Sequence, residues 1–245
     1  MDKHMRALTR SLIGGFALAW VSAPAPAAVV VLNFEGINAT YPTTNYAEIL
    51  NFYNGGTSNQ GTSGTNYGIS FGSNALAICL NAIGNTSGCS NTSRGGQGDP
   101  TSAQGGLFFL SGAETFLDDP AGFNTGFSFF YSAINQGGTI GVFDGLDGTG
   151  NQLASLTLPT TPSNCGPQYN AGFCPFVAAG VAFSGTAKSI SFGGVANQVV
   201  FDDVTFGSST PTPPPTGVPE PTSLALLGAG IAGLGLFRQR NKSRG

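Results

Sequence analysis

The chain has 245 residues, of which 38 are glycine and only 9% are charged, with nine Lys/Arg against twelve Asp/Glu and a formal net charge of -3. An acidic balance of this kind gives no electrostatic purchase on nucleic acid or anionic lipid. The single histidine is His4, so Ser-His-Asp and Cys-His triads and histidine metal sites are excluded everywhere downstream of it.

Residues 1–27 read as a signal peptide. Lys3, Arg6 and Arg10 make a basic start, an apolar stretch runs from Leu12 to Ser22, and Ala25-Pro26-Ala27 offers the small residues that a signal peptidase reads. Cleavage is expected after Ala27, with Ala25 and Ala28 as alternatives. The apolar stretch is shorter than the roughly 20 residues of a spanning helix, which argues against an uncleaved anchor. Between Ala28 and Gly217, ten acidic side chains face two basic ones, Arg94 and Lys188, a net charge of -8.

The exported domain, placed at 28–207, is rich in Gly, Ser, Thr, Asn, Phe and Val and poor in the residues of surface helices. Short apolar or alternating runs recur between turn residues: Val29 to Phe34, Glu48 to Tyr53, Tyr67 to Phe71, Ala75 to Leu80, Gly106 to Leu110 and Gly126 to Ser132. Thr139 to Phe143, Gln152 to Leu158, Phe176 to Phe183, Ala187 to Phe192 and Gln198 to Phe206 follow. No long segment has a 3.6 period, so the pattern predicts an all-β fold, an antiparallel β-sandwich or jelly roll. Thr139 to Phe143 and Gln152 to Leu158 flank two Asp-Gly steps in residues 144–151 and predict a hairpin. Ser189 to Phe192 and Gln198 to Phe206 form a second expected pair, joined through residues 193–197. In it Ile190 and Phe192 share a face, and Val200, Val204 and Phe206 share one with Asp202. Residues 55–64 and 81–104 are glycine-rich polar loops.

Four cysteines in an exported chain predict disulfides. Cys79 and Cys89 bracket one polar loop and Cys165 and Cys174 another, so short-loop closure favours 79–89 and 165–174 among the three pairings. Without a C-x2-C spacing or a histidine, zinc is not expected. The acids suit calcium better, because calcium takes hard oxygen donors. One candidate set is Glu35, at the end of the first strand, with Asp202 and Asp203 on the last, since terminal strands are often neighbours. Another is Asp144, Asp147 and Asn151, whose plain reading is a hairpin turn. Glu114 with Asp118 or Asp119 could serve a glycosidase, yet opposed catalytic carboxylates usually come from separate elements. Asp118-Asp119-Pro120 reads instead as a turn.

Residues 208–217 form a Pro/Thr/Ser-rich linker, and residues 218–245 fall into three stretches of different character. Val218-Pro219-Glu220-Pro221 comes first, then an apolar helix over about 222–237, then a basic end with Arg238, Arg240, Lys242 and Arg244. The apolar run is just short of a spanning length, and its flanking arginines can snorkel to extend it, so a transmembrane helix is predicted. The basic end favours the cytoplasmic side. This ordered trio resembles a PEP-CTERM sorting signal. The resemblance implies a Gram-negative bacterial protein handled by an exosortase at the inner membrane and associated with exopolysaccharide and the cell surface. Asn33 to Gly36, Phe52 to Gly56, Tyr67 to Phe71, Val142 to Gly145 with Gly148 to Asn151, and Phe201 to Phe206 also resemble the ectodomains that precede such tails, which implies a β-sandwich and no particular activity.

The function expected from all this is an exported, exosortase-sorted protein of the cell surface or extracellular matrix with a non-enzymatic structural or adhesive sandwich. The alternatives are a carbohydrate-binding or calcium-dependent adhesion module, using Tyr41, Tyr46, Tyr53, Tyr67, Tyr131 or Tyr169 to stack sugars, and a glycosidase. The expected partners are signal peptidase and exosortase during export and exopolysaccharide afterwards, with no nucleic acid.

Overall fold

The computed structural model describes residues 29–38, 46–80, 105–161 and 176–211. The signal peptide, Cys89, Cys165, Cys174, Val218 to Pro221, the apolar run and the basic end lie outside these residues. Twelve strands follow in order: β1 (Val30–Leu32), β2 (Tyr46–Glu48), β3 (Ser70–Phe71), β4 (Leu76–Cys79), β5 (Gly105–Phe108) and β6 (Glu114–Phe123). Then come β7 (Gly126–Ala133), β8 (Gly138–Phe143), β9 (Gln152–Leu158), β10 (Val177–Ala182), β11 (Ala187–Gly194) and β12 (Val199–Phe206). Among the described residues there is no helix, and none long and apolar enough to cross a membrane.

The strands form two antiparallel sheets packed face to face. One has the order β10-β7-β12-β5-β4-β2, with β1 also paired to β12; the other has the order β3-β6-β11-β8-β9. The period of two decides which residues meet between them. Phe127, Phe129, Tyr131 and Ala133 of β7 face Ile190 and Phe192 of β11 in the shared core. Phe192 touches Phe201 and Phe127 across the gap, with ring centroids 4.8 and 6.0 Å apart in near-T-shaped geometry. The first sheet also buries its outer face, where Leu76, Ile78, Leu80, Phe108 and Val200 form a second cluster.

The predicted β8–β9 hairpin is present, with pairs from Gly138↔Leu158 to Phe143↔Gln152, and its loop takes positive φ at Asp147, Gly148 and Gly150. The second expected pair is not a hairpin. β11 pairs with β6 and β8, whereas β12 pairs with β1, β5 and β7, so residues 195–198 arch from one sheet to the other. Both strands are central in their sheets and buried on both faces, and neither has an edge to offer the other. The expected face of β12 also changes. Val200 lies in the outer cluster, but Val199, Phe201, Val204 and Phe206 lie in the main core. The register slips between Asp202 and Thr205, and Asp203 at φ 44° is the extra residue that reverses the alternation.

Residues 114–123 form a strand that the sequence reading did not place. From Glu114 to Asp119 burial alternates, and β6 pairs with β3 and β11. The turn expected at Asp118-Asp119-Pro120 survives as a bulge inside it. The register jumps from Asp118↔Ser189 to Phe123↔Ala187, and Asp119 Oδ1 accepts the N–H groups of Ala121 and Gly122 at 3.0 and 3.2 Å. The expected strand over Glu48 to Tyr53 stops at Glu48; Ile49, Phe52 and Tyr53 are buried in the turns that follow. The first residues of the expected linker are held rather than free. Ser209 crosses β7 and β10 so closely that a Cβ at Gly126 or Gly180 would lie 2.5 or 2.2 Å from its backbone.

Candidate functional site

A cleft of about 460 Å³ opens between β1 and the long loop over residues 49–69. Alternation along β1 sends Leu32 and Phe34 into the core and leaves Val31, Asn33 and Glu35 to line the cleft. Phe34 then adopts φ 55°, an uncommon conformation for a bulky residue. Its N–H donates to the Tyr53 hydroxyl at 2.9 Å, and the turn it begins lays Glu35 against β5, where Gly105 N–H donates to Glu35 Oε1 at 2.9 Å. Gly105 is required there: a Cβ would lie 2.4 Å from the carbonyl carbon and oxygen of Phe34.

The opposite wall is built by the 49–69 loop. The Ser58 hydroxyl donates to the Ile37 carbonyl at 3.1 Å, and the Thr62 hydroxyl donates to the same oxygen, so the loop is tied to the turn that follows β1. Gly64 packs on the Phe52 ring, and Tyr67 N–H donates to the Tyr53 carbonyl at 2.8 Å. The Tyr67 ring lies 6.2 Å from that of Tyr53, tilted by 32°, and the residue is 40% exposed at the rim. Ser63 and Thr65 complete the edge. Burial, above all, pushes the Tyr53 hydroxyl far up; the Phe34 hydrogen bond opposes this, and the charges of Asp202 and Glu35, with Tyr67, add to it.

The structure therefore brings Glu35 and Asp202 to the neighbourhood of one tyrosine, and β1 and β12 are partners as expected, with Val30↔Phe206 and Leu32↔Val204. Asp202 and Asp203 are both fully buried, and Asp203 N–H donates to Asp202 Oδ1 at 2.8 Å. Among the described residues no three His, Cys, Asp or Glu side chains group closely enough to hold a metal ion. The second acidic set closes its own hairpin: Asp144 Oδ1 and Oδ2 accept from Asn151 N and Nδ2 at 2.7 and 2.9 Å. Those bonds, the side-chain one foremost, hold the Asp144 carboxyl below the usual range.

Glu114 and Asp118 stand four residues apart on the same side of one strand, whereas paired glycosidase carboxylates flank the scissile bond. Each is also engaged, Glu114 by the Ser191 hydroxyl and Asp118 Oδ1 by Asp147 N–H at 2.8 Å. Asp119 is turned into its bulge. These three do not face one another across a cleft.

Asp118 has a consequence for stability. Partial burial first, and then the nearby Asp147 carboxyl, push its pKa up, against the Asp147 N–H bond. A raised carboxyl pKa costs the fold nothing below the unfolded value of about 3.9 and destabilises it progressively as pH rises through the folded value. Asp118→Asn keeps an acceptor for Asp147 N–H and is expected to stabilise the protein at pH 7 by less than about 1 kcal/mol, since the site is partly solvated. Urea unfolding at pH 7 and pH 3 checks this: the gain should vanish at pH 3, and equal effects at both would contradict it.

Cys79, at the end of β4, is fully buried and disulfide-bonded, with the other half of the bond outside the described residues. Of the residues singled out in the sequence, Glu35 lines the cleft. Tyr53 and Tyr67 were present among six candidate tyrosines, but Asn33, Ser63 and Thr65 were missed. Asn33 stands two residues before Glu35, just after β1, and the only sequence signal of Ser63 and Thr65 is position, in a polar loop that the hydroxyls of Ser58 and Thr62 dock onto Ile37.

Three solved structures illustrate what the described sandwich is similar to. The K2 cleaved adhesin domain of Lys-gingipain is 12% identical with a TM-score of 0.39, covering 74% of this chain and all of that one. The K3 cleaved adhesin domain of Lys-gingipain from Porphyromonas gingivalis is 13% identical with a TM-score of 0.33, covering 73% of this chain and 98% of that one. A family 11 carbohydrate-binding module from Clostridium thermocellum, solved with a mixed-linked tetrasaccharide, is 11% identical with a TM-score of 0.30, covering 73% and 94%. No curated protein sequence matches the chain. The fold assignment rests on the strand pairing itself. The tail is matched directly, over residues 217–240, which take in Val218 to Pro221, the apolar run, Arg238 and Arg240. Such a motif implies export and processing of a membrane-anchored precursor by an exosortase, and the chain is thus a protein that carries the PEP-CTERM protein-sorting motif.

Proposed function

We propose that the protein is a non-catalytic component of the cell surface or extracellular matrix, a rigid β-sandwich delivered by its own tail and working as a structural or adhesive module alongside exopolysaccharide. The observation that supports this most is the sorting motif at residues 217–240, standing behind a domain made of two antiparallel sheets. The motif supplies an address, and the sandwich a rigid, strongly hydrogen-bonded body. The pairings Cys79–Cys89 and Cys165–Cys174 belong to the same reading, as staples for polar loops that bury little apolar surface of their own.

The test is fractionation of cells that express Glu220→Ala, or a variant with Arg238, Arg240, Lys242 and Arg244 all changed to Gln. Each is expected to leave an uncut precursor in the inner membrane and to lower the surface and matrix share at least tenfold. A surface share equal to that of the parent would overturn the proposal.

A further inference from the structure

The geometry points to the cleft between β1 and the 49–69 loop as a binding subsite for a short neutral or amino-bearing saccharide, with Tyr67 as the stacking face. The inference rests on the non-catalytic surface reading above and names the ligand and residues of that role. Its warrant is the chemistry of the lining. A sugar ring presents a C–H face and a rim of hydroxyls. Here Tyr67 is 40% exposed at the mouth, and Asn33, Glu35, Ser63 and Thr65 line the same cleft with amide, carboxylate and hydroxyl groups. Tyrosine suits such a place because its body is apolar and its tip polar, and its two χ angles cost little entropy to fix.

The volume of about 460 Å³ lies within the ordinary range for small-ligand sites, roughly 300–1,000 Å³. The walls are pre-organised. Ser58 and Thr62 hold the loop to Ile37, Tyr67 hangs on the Tyr53 backbone, and Gly105 fixes Glu35. Phe34 is held at positive φ where the lining turns, and strain of this kind collects at functional sites. Charge selects the class of sugar. No basic side chain lines the cleft, and the one charge in it is Glu35, so a uronate or phosphorylated sugar is repelled, a hydroxyl rim is accepted and an ammonium is favoured. A bare divalent cation is disfavoured, because a single carboxylate lines the cleft.

The test uses the full-length chain in mild detergent and three immobilised tetrasaccharides, of glucose, of glucosamine and of galacturonic acid. The first two should bind and the third should not. Tyr67→Ala should weaken binding at least tenfold, whereas Tyr67→Phe should stay within about threefold of the parent. Glu35→Gln should weaken glucosamine binding more than glucose binding. Thr65→Arg, at an exposed rim position, obstructs the cleft without touching the core and should abolish binding even if Tyr67→Ala fails to fold. Binding of none of the sugars, preference for galacturonate, or binding indifferent to Tyr67 and Thr65 would each overturn the inference. The products are weighed in the same experiment. Shortened oligosaccharides would refute the non-catalytic reading, whereas intact but unbound ones refute only the saccharide subsite.

Discussion

Replacing Phe192 with alanine is expected to remove about 3–5 kcal/mol of stability, a large part of the roughly 5–15 kcal/mol that holds a domain of this size folded. Phe192 is fully buried on β11 and is where the second sheet meets the first: its ring packs against Phe201 of β12 and Phe127 of β7. Those rings in turn contact Phe129, Phe206 and Phe123, so truncation opens a cavity in the middle of an aromatic layer that spans both sheets. The surrounding strands are tied by ladders on both sides and have little freedom to collapse into it. Urea unfolding should show a midpoint far below that of the parent with the slope unchanged. Leu146→Ala, in the exposed hairpin loop, should stay within about 0.5 kcal/mol of the parent. Comparable losses for the two would contradict the description of the core.

Gly105→Ala is the second large effect, and it links stability to the cleft. The added methyl would meet the Phe34 carbonyl group at 2.4 Å and Glu35 N at 2.9 Å. These are backbone atoms, already fixed by the Tyr53 hydroxyl and by β1 pairing, so no rotamer change relieves the contact. Overpacking of this kind costs about 1–3 kcal/mol. It should also push Glu35 off β5, break its bond to Gly105 N and deform one wall of the cleft. Gly72→Ala is the control, because there the nearest atom would be 3.4 Å away. A melting temperature lowered by both to the same extent would mean that the contact between Phe34 and Gly105 is not the tight one described.

Local patterns in the sequence translate directly into structure where one short segment contains the whole signal. The run over residues 126–132 becomes β7, and the two Asp-Gly steps become the β8–β9 loop with Asp147 and Gly148 at positive φ. The same local reading fails where a strand is interrupted. Asp118-Asp119-Pro120 has turn chemistry, and the turn forms, but long-range pairing with Ser189 and Ala187 on either side keeps β6 whole. Asp203 breaks the period of β12 as one extra residue between the pairs Asp202↔Phe130 and Thr205↔Ser128, an interruption that shows only once the register with β7 is formed. Proximity in sequence also misleads at β11 and β12, which are joined by a tight arch yet belong to different sheets. The cleft is the extreme case. Glu35 attracts notice as an acid at a strand end, but Ser63, Thr65 and Tyr67 acquire meaning only after hydrogen bonds 21 and 25 residues long bring their loop onto Ile37.

The tail was legible for the opposite reason. Pro219-Glu220-Pro221, the apolar run and the basic end are read in order by other proteins, and an address of that kind does not depend on tertiary contacts. Cys79 shows both sides of this contrast. Its place in an exported chain announces a disulfide, but the choice among partners depends on which loop ends meet.

Terminal mass mapping of the protein recovered from the cell surface tests the central claim most directly. Delivery by a removable leader and a processed tail predicts a first residue at Ala28, or within a residue or two of it, and a last residue upstream of Arg238. Recovery of an intact chain from Met1 to Gly245, in the cytosol and absent from the surface, would contradict the account.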